Sequence, residues 1–114
     1  MPGPGVSTET RPDGTVIVHP HGSLDLDGAL RLRQFLVHAI RHMRPHRLIL
    51  DLGDLGDLDP IDIGTLAAAC TLGDDHRVIV FLDNTPSDIA ARLAAAGVPP
   101  ARLRGTKDAP GPAR

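Results

Sequence analysis

Two short runs near the start of the chain, Val6–Thr10 and residues 15–19, are rich in Val, Ile and Thr. These residue types favour β-strands. Between the runs lies Arg11-Pro12-Asp13-Gly14, whose Asp-Gly pair suits the positive φ angles of a tight turn. The pattern predicts a β-hairpin, and Gly22 is expected to end or bulge its second strand.

Residues 27–43 place apolar side chains at helical spacing. The apolar positions recur at i, i+3, i+4 and i+7, which is one face of an amphipathic helix. They are Leu32, Phe35, Leu36, Ala39, Ile40 and Met43. Pro45 lacks a backbone N–H and is predicted to stop this helix.

Two nearly continuous apolar runs follow, at residues 47–52 and 77–82. Such runs are typical of strands that are covered on both faces. A helix is predicted between them over residues 60–73. A last helix is predicted over residues 86–96, closed by Gly97.

The predicted order is therefore β-β-α-β-α-β-α, which indicates a single α/β domain over residues 6–104. Alternation of strand and helix implies parallel strands joined by right-handed crossovers. The opening hairpin adds an antiparallel pair, giving a mixed, mostly parallel sheet of about four strands packed with helices. Residues 1–5 and 105–114 are rich in Pro and Gly and are predicted to be flexible tails.

Composition narrows the classes of function. The 114 residues have a net charge of −2 and only two aromatic residues, so no basic face or stacking platform favours nucleic acid or an anionic membrane. No apolar run approaches the ~20 residues of a membrane span, and no signal peptide is recognisable, which favours a cytoplasmic protein. The single cysteine, Cys70, lies in an apolar run and is predicted to be a core residue.

Two helix starts share one chemistry, Asp59-Pro60-Ile61-Asp62 and Thr85-Pro86-Ser87-Asp88. Each offers an oxygen at the N-cap, a proline at the first helical position and an acid at the third. The acid faces the positive end of the helix dipole. Helix capping alone accounts for both tetrapeptides.

Aspartates gather just past the predicted second and third strands. In open α/β sheets this edge is where ligands and partners dock, although turns and caps also favour aspartate. The functional interpretation is a negative rim for a basic partner or a divalent cation. The residues are Asp25, Asp27, Asp51, Asp54, Asp57, Asp59 and Asp62.

An enzymatic alternative centres on Asp25-Leu26-Asp27-Gly28, which resembles the first motif of haloacid-dehalogenase-type phosphatases. The resemblance implies a small Mg-dependent phosphatase that uses Asp25 and Asp27. The preceding segment is not an apolar strand, and the lysine that such a site needs could only be Lys107 in the tail. A small-ligand sensor is a further alternative, but the sequence names no ligand.

Histidines at 19 and 21, and at 38 and 42, invite a metal interpretation. Metal sites need three or four converging ligands, and no such convergence is visible. These histidines are therefore predicted to be solvated. No metal and no cofactor is predicted.

Three segments follow one another along the chain in a suggestive order and spacing. They are Gly22-Ser23-Leu24-Asp25, Leu50-Asp51-Leu52 and Leu58-Asp59-Pro60-Ile61-Asp62-Ile63-Gly64. Their order and spacing resemble the STAS domain family, the anti-sigma-factor antagonists and their relatives. Members carry a Gly-Glu-Leu-Asp-like turn, then a strand, then Asp-Ser-Ser-Gly-Leu-Gly opening a helix. The resemblance covers about residues 6–103.

The resemblance implies a non-catalytic regulatory module that binds a protein partner, such as an anti-sigma factor of the kinase type. By position, the family's phosphorylated serine falls on Ile61, which cannot accept a phosphoryl group. The expected function is thus an anti-sigma-factor antagonist, or a degenerate relative that lacks the serine phosphoswitch. The expected partner-binding residues are Asp25, Asp27, Asp59, Pro60, Ile61, Asp62 and Gly64. The oligomeric state stays open.

Overall fold

The elements follow the predicted order, with two short strands added. The computed structural model describes residues 5–106, so most of the two predicted tails lies outside the described residues. The strands are β1 Val6–Thr10, β2 Val16–Gly22, β3 Arg47–Asp51, β4 Asp54–Leu55, β5 Ile79–Asp83 and β6 Leu103–Arg104. The helices are α1 Leu26–His38, α2 Pro60–Asp75 and α3 Ser87–Ala95, with a π-helical turn Ala39–Met43 and a 3₁₀ turn Pro100–Arg102.

The sheet runs in the order β1-β2-β3-β5-β6. β1 is antiparallel to β2, and every other neighbouring pair is parallel. β4 pairs in parallel with the end of β2, His21 facing Asp54 and Gly22 facing Leu55. The predicted mixed, mostly parallel α/β sheet is confirmed, while β4 and β6 are too short for their residues to show a periodicity.

The opening hairpin forms as the sequence predicts. The Asp13 carboxylate accepts a hydrogen bond from the Thr15 backbone N–H at 2.9 Å. Gly14 has a φ of 89°, in the region that favours glycine. Gly22, with a φ of 73°, ends β2 as expected.

The core lies between one face of the sheet and the helices. Leu48, Leu50, Val80 and Leu82 are buried, whereas Ile79 is 42% exposed. Side chains of β3 and β5 thus alternate between buried and partly exposed positions. The prediction that both strands are covered on both faces is wrong. The second face carries Ile49, Ile79 and Phe81, which are apolar but only partly buried or exposed.

Helix α1 begins one residue before its predicted start, and the helical stretch that it opens ends at Met43 as predicted. It begins at Leu26 because the Asp25 carboxylate accepts a hydrogen bond from the Gly28 backbone N–H at 2.6 Å. It ends in a π-helical turn, where the Arg44 N–H donates to the Ala39 carbonyl at 2.8 Å. The wider turn takes Met43 off the apolar face, and its side chain is 44% exposed rather than in the core.

Helix α2 runs two residues beyond the predicted end at Gly73 and stops at Asp75. A Cβ atom at Gly73 would lie 2.5 Å from the Val78 carbonyl oxygen, so only glycine allows α2 to pack this closely on the chain leading to β5.

The predicted cap of α3 is wrong. Pro86, not Thr85, occupies the N-cap position, and the helix begins at Ser87. The Thr85 side chain is fully buried, and its hydroxyl donates to the Leu82 carbonyl at 3.4 Å.

Candidate partner-binding site

The starts of α1 and α2 form the two sides of a small cleft. Its volume is about 280 Å³. The lining residues are Leu24, Asp25, Leu26, Ala29, Leu30, Arg33, Asp59, Ile61, Asp62 and Thr65. The sequence placed Ile61 and Asp62 at a helix N-terminus beside Asp25, and this position is confirmed.

The cleft gathers four of the seven residues predicted to bind a partner, namely Asp25, Asp59, Ile61 and Asp62. Gly64 lies on an adjoining groove. Asp27 is exposed in the first turn of α1, and Pro60 is exposed at the first position of α2. Neither Asp27 nor Pro60 lines the cleft. Their role in binding stays a prediction, as it does for the other five.

The sequence holds the α2 start in place through its capping residues. Asp59 is extended, with φ −73° and ψ 158°, and Pro60 follows at the first helical position. The Asp62 carboxylate accepts a hydrogen bond from the Asp59 backbone N–H at 3.3 Å. The Asp59 carboxylate faces the Asp62 backbone N–H in return, so the two residues form a capping box that keeps a carboxylate at the positive end of the helix dipole.

Ile61 lies between these two capping residues, but its side chain points to solvent and is 82% exposed. The nearest hydroxyl along the helix belongs to Thr65, which donates to the Ile61 carbonyl oxygen at 3.1 Å. Ile61, the position at which the sequence resemblance predicts the family's phosphorylated serine, therefore presents an aliphatic side chain to solvent.

Two leucines of α1 extend this apolar surface, and sequence reasoning missed both as site residues. Leu26 is 87% exposed and Leu30 is 49% exposed. They are one helical turn apart and line the same cleft as Ile61. Their signal was available, because neither leucine belongs to the predicted apolar face of α1. We call Leu26, Leu30 and Ile61 the apolar patch.

A larger groove continues from the cleft between α1 and α2, with a volume of about 760 Å³. Cleft and groove share Arg33, Ile61 and Thr65. One side consists of Arg33, Leu36 and Val37 of α1 and Ile40 of the π-helical turn. The other side, on α2, consists of Ile61, Gly64, Thr65, Ala68, Ala69, Thr71, Leu72 and Asp75.

The predicted acidic rim does not form one surface. Asp51 accepts hydrogen bonds from the Gly53 N–H at 3.1 Å and from the Asn84 side chain at 3.2 Å. Asp54 lies 2.9 Å from His19 Nε2. Asp57 faces Arg92 at 3.8 Å and accepts from the Leu58 N–H at 2.9 Å. These three aspartates make contacts within loops and at strand ends, and none of them lines the cleft.

The histidines considered as metal ligands lie in different environments. His38 and His42 are exposed, as predicted, with their rings 5.2 Å apart. His19 instead contacts Asp54, and its side chain is 34% exposed. Within residues 5–106, no three His, Cys, Asp or Glu side chains are grouped closely enough to hold a metal ion.

The phosphatase alternative requires a free nucleophile at the end of a buried strand. Asp25 instead caps α1 through its hydrogen bond with Gly28, and Asp27 lies in the following helical turn. Cys70 offers no substitute nucleophile, because burial raises the pKa of its thiol to about 11 and keeps it protonated at neutral pH.

A STAS domain model matches residues 7–101. No curated protein matches the chain in sequence. Among solved structures, the Bacillus cell fate determinant SpoIIAA in its phosphorylated form is 17% identical, with a TM-score of 0.74 over 91% of this chain and 90% of that one. A variant of Moorella thermoacetica RsbS, with glutamate in place of one serine, is also 17% identical, with a TM-score of 0.73 over 90% of this chain and 86% of that one.

The same fold occurs within a much longer protein. The murine anion transporter Slc26a9 is 23% identical over 82% of this chain but only 16% of its own, with a TM-score of 0.62. In the described part of the present chain, no helix is both long enough and apolar enough to cross a membrane. Because the family model spans nearly all of the described residues, and the sheet and helices agree with solved STAS structures, the chain belongs to the STAS domain family.

Proposed function

We propose that this chain is a non-catalytic cytoplasmic module of the anti-sigma-factor antagonist type, which binds a protein partner through the cleft between the starts of α1 and α2. The observation that carries the proposal is the exposure of the apolar patch, with Leu26 at 87% and Ile61 at 82%. Exposed apolar groups rimmed by polar residues are typical of protein-binding surfaces. Here the rim consists of Asp25, Asp59 and Asp62.

The expected partner is an anti-sigma factor of the kinase type. A solved structure of the anti-sigma factor antagonist SpoIIAA in its unphosphorylated form shares the fold, at 18% identity and a TM-score of 0.65. The cleft adds its own support, since leucine and isoleucine anchors beside carboxylates complement a partner with an apolar socket and basic residues around it.

Binding in this chain is expected to be constitutive with respect to phosphorylation at the family's usual position. A phosphoserine there would add ~1.5–2 negative charges at a helix N-terminus. Ile61 carries no hydroxyl, and the hydroxyl of Thr65 is engaged with the Ile61 carbonyl. Asp62 supplies a permanent carboxylate at this helix start instead.

Titration calorimetry against each anti-sigma kinase encoded in the same genome tests the binding site. We expect one of them to bind the wild type, and a Leu26→Asp/Ile61→Asp double variant to bind at least ~100-fold more weakly. Met43→Asp is the matched control, because Met43 is 44% exposed but does not line the cleft. Equal affinities for the double variant and the wild type would contradict the proposed site.

Intact-mass measurement after incubation with ATP and the binding kinase tests the missing switch. The wild type is expected to stay unmodified, Ile61→Ser is expected to gain one phosphate, and Ile61→Ala is the control. A phosphate on wild-type Thr65 would mean that the switch has moved by one turn, and the proposal of constitutive binding would fail.

A further inference from the structure

The groove between α1 and α2 is long as well as apolar. Its lining on α2 extends from Ile61 to Asp75, which at 1.5 Å per residue is about 21 Å, or four helical turns. Buried Leu36, Ile40 and Ala69 form its floor. A surface feature of this length suits a helix better than a compact ligand.

Gly64 lies in this groove, and the fold does not explain it. A Cβ atom at Gly64 would meet nothing within 4 Å in the described structure, and alanine would strengthen the helix. In contrast, a Cβ at Gly73 on the same helix would lie 2.5 Å from the Val78 carbonyl oxygen. Because nothing in the described fold requires glycine at this position, its missing side chain is best explained by the close approach of another backbone.

The charges along the cleft and groove are mostly negative. The acidic lining residues are Asp25, Asp59 and Asp62 in the cleft and Asp75 at the far end of the groove. Arg33 is the one lysine or arginine among the lining side chains of the two. Asp75 occupies the last turn of α2, where the helix dipole disfavours a carboxylate, so helix stability does not explain it.

We infer that this groove receives a basic amphipathic helix of the protein partner, about four turns long, with its apolar stripe on the groove floor and basic side chains toward the carboxylates. The inference rests on the proposed function, since it extends the contact from the cleft along α2. The carboxylates would repel an anionic lipid surface or a nucleic acid, so the charge pattern favours a protein helix.

The test is a titration of ¹⁵N-labelled protein with a synthetic helical peptide of about 14 residues, the length that spans the groove. The peptide carries leucine at i, i+3, i+4 and i+7 with lysine elsewhere. One control peptide has the same composition with the leucines scattered, and another has glutamate in place of lysine. We expect saturable amide shifts at Gly64, Ala68 and Thr71, and at least tenfold weaker binding of both controls.

Two variants assign the binding to the groove. Gly64→Leu fills the groove and should weaken the peptide at least tenfold, whereas Ala94→Leu, at an exposed position of α3, should change nothing. Asp75→Asn removes a charge without changing the packing, and it should weaken binding of the peptide by a few-fold. Circular dichroism and thermal melts establish that each variant is folded.

Absence of saturable binding, shifts outside the groove, or wild-type affinity in both groove variants would overturn the inference. If an anti-sigma kinase still binds wild type and Gly64→Leu equally, but loses affinity for the Leu26→Asp/Ile61→Asp variant, then the proposed function stands and the groove inference alone fails.

Discussion

Two helix starts with the same tetrapeptide chemistry lie in opposite environments. At the start of α2, Asp59, the first residue of its tetrapeptide, is exposed, and Ile61, the third, is 82% exposed. At the start of α3, Thr85 is fully buried and hydrogen-bonded to the Leu82 carbonyl. A cap motif therefore locates a helix start but does not say whether that start is part of the core or of the surface.

The connections that lead into the two helices explain the difference. Residues 52–59, including the short strand β4, separate β3 from α2. Only residues 84–86 separate β5 from α3. Asn84 in this short connection is held in a left-handed conformation, with its N–H donating to the Arg104 carbonyl at 2.8 Å. The short connection keeps Thr85 buried near the end of β5, where its hydroxyl reaches the Leu82 carbonyl, whereas the long one leaves Ile61 exposed.

The two helix starts should differ most in how much stability the protein loses when an aspartate is introduced. Thr85→Asp would bury a carboxylate next to the Leu82 carbonyl oxygen that now accepts from the Thr85 hydroxyl, which should lower the free energy of unfolding by about 3–5 kcal/mol or prevent folding. Ile61→Asp should change it by no more than about 0.5 kcal/mol, because the site is exposed. Urea unfolding followed by circular dichroism measures both, and equal losses would refute the contrast.

Affinity for the partner should instead depend on the start of α2 and not on the start of α3. Ile61→Ala is expected to weaken the partner by about 1–2 kcal/mol, or roughly 5–30-fold, because an exposed apolar anchor is truncated. Ser87→Ala, at the corresponding position of the α3 tetrapeptide, should leave the affinity unchanged. Calorimetry with the identified anti-sigma kinase measures both values. A loss for Ser87→Ala as large as that for Ile61→Ala would place the interface elsewhere.

The stability that the N-cap residue contributes should also differ between the two helix starts, but by a smaller amount. Asp59→Ala removes a side-chain cap and should cost about 1 kcal/mol of stability. Pro86→Ala should cost less than about 0.5 kcal/mol, because proline at the N-cap contributes no side-chain acceptor. Thermal and urea unfolding of the two variants make the comparison, and a larger loss at Pro86 would contradict it.

A small effect is also expected from trimming residues 1–5 and 105–114, which lie near neither helix start in sequence. The one backbone hydrogen bond of Gly5 in the described structure is accepted from the His21 N–H at 2.7 Å, so its removal should cost about 1 kcal/mol or less. For a domain of this size that corresponds to a fall in Tm of no more than about 8 °C. A larger fall would show that the folded unit extends beyond residues 6–104.

The fold was largely predictable because its main strands and helices carry strong local patterns. The turn at Asp13-Gly14, the aliphatic runs of β3 and β5, and the apolar stripe of α1 each depend on neighbouring residues. β4 and β6 could not be predicted in this way. Each is two residues long and exists because a neighbouring strand offers free backbone groups, which is a tertiary property.

The site was predictable only in part. Asp59, Ile61 and Asp62 were found through the cap pattern and the family resemblance, and Asp25 through the turn after β2. Leu26 and Leu30 were missed because their positions off the apolar face of α1 predict only that they are exposed. That they line a cleft becomes visible only when the start of α2 is placed beside them. The groove along Gly64 depends on the distance between α1 and α2, which no local pattern encodes.

The π-helical turn at Ala39–Met43 has a consequence for how this chain is aligned with its relatives. A π turn amounts to one extra residue accommodated within a helix, here closed by the bond between the Arg44 N–H and the Ala39 carbonyl. Relatives with a regular α1 should therefore align with a one-residue gap between positions 39 and 43. An alignment without that gap would shift β3 by one residue and exchange its inward and outward side chains, giving a false record of which core positions have been substituted during evolution.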